Sequence, residues 1–169
     1  MPKNVEIKAR LTNFERVRET ARRLSGNDPE LLDQHDVFFA SRNGRVKLRI
    51  FPDGTGELIE YHRPDTADIK TSSYRLAKTP DALTLRDILT NMGAMVTGEV
   101  RKRRLLYLIG QTRVHVDRVE RLGDFLELEV VLRDDQSESD GSAITRDLMR
   151  AFGIDNGSLV AGAYVDLLT

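Results

Sequence analysis

Charged and apolar side chains alternate along this chain in short runs, and that alternation restricts what it can fold into. Glu6 and Lys8 interleave with Val5 and Ile7, and Lys47 and Arg49 with Val46 and Leu48. Further on, Lys102 and Arg104 share one parity, Arg113, His115 and Asp117 flank Val114 and Val116, and Glu127 and Glu129 flank Leu126 and Leu128. Successive side chains on a strand point to opposite faces, so each run has one apolar face and one face carrying fixed charge. A solvated sheet satisfies this pattern. If the strands close on one another instead, the charged faces line a wet interior, where basic strands hold an anion and acidic strands hold the cations that accompany it.

The bulk numbers fit one domain over 1–169: 169 residues with 40% hydrophobic content can bury a real core. The absence of cysteine excludes disulfides, thiolate metal sites and cysteine nucleophiles. The start, MPKNVEIKAR, reads as strand rather than secretory signal, and no 18-residue apolar stretch occurs, so a cytoplasmic protein without a membrane partner is expected. With 26 basic and 27 acidic side chains and a net charge of -1, a nucleic acid polymer is not an expected partner. A local basic cavity remains compatible with that balance.

Residues 4–10 read as the first strand, followed by a helix over about 13–24, where Phe14, Val17, Ala21 and Leu24 recur at helical spacing after a capping pattern at Thr12–Glu15. Strands are expected at 34–40, 45–51, 56–63 and 72–77, with turns at Asn43-Gly44 and Pro52-Asp53-Gly54. Thr79-Pro80-Asp81 opens a second helix, and 95–109, 111–119 and 125–132 are strands. Ile144, Leu148 and Phe152 mark a third helix closed by Gly153, and the tail at 164–168 suits a short edge strand or turn. Seven or eight strands with three helices and no linker suggest one antiparallel barrel or strongly curled sheet, with helices outside.

Glu127 and Glu129 place two carboxylates on one face, with Asp117 on a nearby strand and Glu6 a further candidate. Hard dications such as Mg2+ take convergent oxygen ligands of this kind, although the solvated side of an amphipathic strand gives the same pattern. The run Arg101-Lys102-Arg103-Arg104 is split by strand parity, so half of it can face inward. With Lys8, Arg49, Arg63 and Arg113 it could match the charge of a triphosphate, while each residue singly would serve equally as a surface ion pair. No GxxxxGK[ST] loop, GxGxxG turn or GxSxG elbow is present, so phosphate binding falls to side chains. His35 and His62 read as surface or loop histidines, whereas His115 shares the parity of Arg113 and Asp117.

These residues resemble the CYTH superfamily, the triphosphate tunnel metalloenzymes that include class IV adenylyl cyclases and thiamine triphosphatases. The likeness lies in Val5-Glu6-Ile7-Lys8, Gln34 to Phe39, Lys47-Leu48-Arg49, Leu58 to Pro64, Val100 to Arg104, Val116-Asp117, Leu122 to Glu129 and Tyr164, in family order over nearly the whole chain. The resemblance implies an α+β fold: an eight-stranded antiparallel β-barrel forming a tunnel open at both ends, with helices packed outside. It implies Lys8, Arg49, Arg63, Lys102, Arg104 and Arg113 as substrate-binding phosphate contacts. Glu6, Asp117, Glu127 and Glu129 would be ligands to Mg2+ or Mn2+, with Glu6 and Glu129 as the catalytic groups that orient the attacking water. One departure stands out: the family usually has a glutamate where this chain has Asn4, and an amide supplies neither charge nor base.

The expected function is a metal-dependent phosphohydrolase acting on inorganic or small organic triphosphates, because hydrolysis needs only the phosphate grip and water. The alternatives are an adenylyl cyclase converting ATP to cyclic AMP and pyrophosphate, which the LGDFLELE segment resembles, and a triphosphate sensor without turnover. Monomer and homodimer are both compatible with the pattern.

Overall fold

The computed structural model describes residues 1–168. The elements are β1 (Lys3–Arg10), α1 (Phe14–Ser25), β2 (Glu30–Phe39), β3 (Arg45–Ile50), β4 (Gly56–His62), β5 (Lys70–Thr79), α2 (Ala82–Asn91), β6 (Val96–Ile109), β7 (Thr112–Val119), β8 (Gly123–Val131), α3 (Glu138–Phe152) and α4 (Tyr164–Leu167), with a 3-10 turn at Asn156–Ser158. The strands pair antiparallel in the order β1-β5-β4-β3-β2-β6-β7-β8, and β8 pairs back to β1.

The expected barrel-shaped tunnel needs correcting. Hydrogen bonding closes the sheet into a ring, but the strands are not arranged evenly round one axis, so the ring is not a regular barrel. The ladders show why. β1 meets β5 only over Lys3–Glu6, whereas β2 meets β6 along its whole length with a register shift between Phe38 and Phe39. Ladders of unequal length and a bulge tilt neighbouring strands differently, which a uniform barrel does not allow. Residues 162–164 reach the interior side chains: the Gly162 carbonyl accepts from Lys8 and Arg63, and the Tyr164 hydroxyl donates to Asp117.

The apolar face of the sheet points outward, under the helices. Ile7, Ala9, Val114, Val116, Leu126 and Leu128 pack with Val17 and Ala21 of α1 and Met149 and Phe152 of α3. α2 covers a second cluster of Val37, Leu48 and Ile50 through Ala82. Each long helix is held at its start by a side-chain cap: Asn13 accepts from the Arg16 amide, Asp81 from Thr84 and Ser137 from Asp140. Two glycines permit close approach. A Cβ at Gly56 would lie 2.5 Å from the Arg49 carbonyl oxygen, and one at Gly141 2.6 Å from Val5 Cγ2.

β2 begins four residues earlier than its hydropathy suggests, because Glu30–Asp33 find backbone partners on Arg103–Leu106. The tail is a helical turn rather than an edge strand, with Tyr164 inserted into the sheet's interior. Among the described residues, no helix is long and apolar enough to cross a membrane.

Candidate functional site

With the apolar faces turned out, the charged faces enclose a cavity of about 370 Å³. Nine of the ten side chains picked out by parity and resemblance line it: Glu6, Lys8, Arg49, Arg63, Lys102, Arg104, Arg113, Glu127 and Glu129. Asp117 is the exception.

On one wall, cross-strand pairing sets Asp36 opposite Arg49. Arg49 grips Asp36 with Nε at 2.8 Å and Nη2 at 2.9 Å, while Lys102 Nζ and Lys47 Nζ approach the same carboxylate at 2.9 and 3.1 Å. Burial works against the charged form of Asp36, but Arg49, Lys102 and Lys47 outweigh it and hold the carboxyl well below its ordinary range. Burial pushes Lys102 down to about 7 against the pull of Asp36.

Asp117 lies behind the lining, fully buried. Its two oxygens take Arg104 Nε and Nη2 at 2.8 and 2.7 Å, and the Tyr164 hydroxyl donates to it at 2.9 Å. This fork fixes Arg104, whose Nη2 also reaches Glu127 Oε2 at 3.2 Å. Lys8 Nζ lies 3.6 Å from Glu127 Oε1 and 4.1 Å from the Tyr164 ring centroid. Burial pushes Lys8 down to about 8.

The opposite wall is acidic. Strand register sets Glu129 across from both Glu6 and Arg113, and Glu127 across from both Lys8 and His115. His115 Nδ1 lies 3.5 Å from Glu127 Oε2 and 3.9 Å from Glu129 Oε1. One ligand atom from each of the three residues falls within 4.8 Å of the others, a group able to hold a metal ion. Burial opposes ionisation of both glutamates, yet Lys8 and Arg104 hold Glu127 well below its ordinary range, and His115 and Arg113 lower Glu129. Burial, helped by Arg104, lowers His115 and so favours the neutral ring, which has a lone pair to offer. Glu6 runs the other way. Burial and Glu129 raise it, although Arg63 Nη1 stands 2.5 Å from its Oε1. Beside it, the buried Asn4 Oδ1 has no hydrogen-bond partner among the described residues.

The profile of the CYTH domain matches residues 2–164. The chain belongs to the CYTH domain family. A candidate adenylate cyclase, MJ0240 of Methanocaldococcus jannaschii, is 25% identical, the alignment covering 96% of this chain and 97% of that one. The PH1012 protein of Pyrococcus horikoshii OT3 has the same fold, with a TM-score of 0.85 at 24% identity over 97% of this chain and 98% of that one. A candidate adenylyl cyclase from Hippeastrum, whose structure is described as revealing a dominant triphosphatase activity, superposes with a TM-score of 0.62 at 12% identity over 96% and 91% of the two chains.

Within this CYTH domain, strand alternation at the end of β4 turns Arg63 into the cavity, and His62 lies outside it beside Glu60. Three contributors escape a search for paired motifs. Asp36 follows Gln34 and His35 and precedes Val37 and Phe38, and its sign is opposite to that of the cations it organises. Tyr164 sits far along the chain from Asp117. Leu32, Ile59, Leu76 and Leu106 also line the cavity, and uncharged residues give no alternation of charge to notice.

Proposed function

We propose that this protein is a metal-dependent phosphohydrolase that takes small-molecule triphosphates into the enclosed cavity. The observation that carries this reading is the convergence of six inward cations on the cavity that His115, Glu127 and Glu129 also line. With Lys47, the cations Lys8, Arg49, Arg63, Lys102, Arg104 and Arg113 outnumber the six lining carboxylates by one, and a bound dication adds to the positive charge that an extended polyanion meets. Arginine forks suit paired phosphate oxygens, and lysines act as point charges. The carboxylate donors suit a dication, Mg2+ or Mn2+, which when bound would neutralise phosphate oxygens and charge developing on the leaving group.

The chain's own residues supply the rest. The fork from Asp117 holds Arg104 without rotational freedom, and the Asp36 carboxylate aligns Arg49 and Lys102 before substrate arrives. Both arrangements reduce the ordering cost of binding. Glu6, raised by burial and by Glu129, is the better placed to accept the proton of the attacking water, while Glu129 orients it. The water oxygen joins phosphorus, the phosphoanhydride bond breaks, and the proton passes to Glu6.

A second reading is adenylyl cyclase, named for two of the relatives above. It is favoured by the apolar and aromatic part of the lining, Leu32, Phe51, Ile59, Tyr74, Leu76 and Leu106, which offers an organic group a seat. Incubating the protein with Mg2+ or Mn2+ and ATP, thiamine triphosphate or tripolyphosphate, then resolving products by chromatography, tests both. Phosphate supports the hydrolase. Cyclic AMP with stoichiometric pyrophosphate replaces it with the cyclase. Tight binding without product would make the protein a sensor.

A further inference from the structure

We infer that His115 is itself a ligand to the metal, so that the site takes a transition-metal dication such as Mn2+ through an imidazole nitrogen in preference to Mg2+. The inference rests on the reading above that a dication accompanies the triphosphate.

The carboxylates expected to share this task are largely committed elsewhere. Both oxygens of Asp117 are taken by Arg104, and the Tyr164 hydroxyl donates to one of them. Glu6 Oε1 is held by Arg63 at 2.5 Å. Asn4 contributes a neutral amide oxygen. The set that adds an imidazole nitrogen is the one in which β7 and β8 place His115 opposite Glu127, with Glu129 two residues along the same strand face, although Arg104 also reaches Glu127 Oε2 at 3.2 Å and Arg113 reaches Glu129 Oε2 at 3.0 Å.

The spacing in that set fits coordination better than hydrogen bonding. His115 Nδ1 to Glu127 Oε2 is 3.5 Å, at the outer limit of a hydrogen bond, and Nδ1 to Glu129 Oε1 at 3.9 Å is beyond it. Ligand atoms each about 2.0–2.2 Å from a common ion lie roughly 3–4 Å apart, which brackets both distances. A nitrogen among the donors then decides the class of ion. Imidazole suits the later first-row divalent ions, and Mn2+, the weakest binder of that series, still accepts a nitrogen alongside carboxylates, whereas Mg2+ holds to oxygen and water. Arg104, Arg113 and Lys8 crowd the two glutamates, so the ion and the polyanion should bind together.

Pulsed electron paramagnetic resonance of Mn2+ with a methylene-bridged tripolyphosphate analogue tests this, because the analogue contains no nitrogen and is not cleaved between the bridged phosphates. The expected spectrum shows both 31P coupling from the analogue and 14N coupling from imidazole. Labelling the histidines with 15N should convert the latter to 15N coupling. His115→Gln should abolish the nitrogen coupling and weaken Mn2+ at least about tenfold, on the scale of lost support to a metal site. In the unaltered protein, Mg2+ at equal concentration should not displace Mn2+, and displacement at equal concentration would overturn the preference. Phosphorus coupling without nitrogen coupling overturns the role of His115 and leaves the triphosphate reading standing. Neither coupling, at concentrations that saturate any site, overturns both. The spectrum of the unaltered protein decides the matter even if the variant fails to fold.

Discussion

Asp36 sits at the meeting point of Lys47, Arg49 and Lys102. Removing its charge leaves the buried Arg49 and Lys102 and the half-buried Lys47 without this carboxylate, and breaking a buried ion pair from one side costs roughly 3–5 kcal/mol. Asp36→Asn should therefore lower stability by about that amount in denaturant titrations. Tripolyphosphate should raise the melting temperature of the variant more than that of the unaltered protein, since the anion then takes over the neutralising role. Lys102 gives a prediction in pH. Its folded value of about 7 lies below the ordinary 10.5, so the charged form is penalised by folding below pH 7, and that penalty fades as pH rises toward 10.5. Anion binding needs the charge, so affinity for tripolyphosphate should fall as pH rises through 7. At pH 8 binding should take up protons, which calorimetry in buffers of different ionisation enthalpy reads directly.

Among the elements, the C-terminal turn and α3 show how distant segments set the cavity. Tyr164 reaches Asp117 from α4, and Tyr164→Phe removes a hydrogen bond to a buried charge. Loss of such a bond costs about 1.5–3 kcal/mol, measurable by denaturation, with Arg104 still held by its fork. α3 presses Gly141 against β1, where a Cβ would meet the stiff, buried Val5 side chain at 2.6 Å. Gly141→Ala should destabilise by about 1–3 kcal/mol through overpacking, despite alanine's better helix propensity. Strand parity was legible in the sequence because a half-charged strand alternates with period 2, and Lys8, Arg49, Lys102 and Glu127, which share it, line the cavity. The start of β2 and the inserted tail were not legible, because partners remote in sequence impose both. Hydropathy at Glu30–Asp33 does not reveal the ladder to β6, and nothing local to Tyr164 announces Asp117.

For the molecule as a whole, the sheet is inverted relative to an ordinary core: apolar faces lie outside beneath three long helices, and fixed charge of both signs lies within. The uneven spacing of the strands, invisible in residue pattern, depends on ladder lengths that no single strand specifies. The central claim is that the interior charges form one triphosphate site. Calorimetric titration of tripolyphosphate with Mn2+ into the unaltered protein and into Arg104→Ala tests it most directly, with circular dichroism confirming that the variant is folded. The account predicts one site per chain, weakened at least about tenfold in the folded variant, in line with the loss of roughly 1.5–3 kcal/mol for a charged hydrogen bond. Equal affinity in a folded Arg104→Ala, or no binding in the unaltered protein, would contradict it.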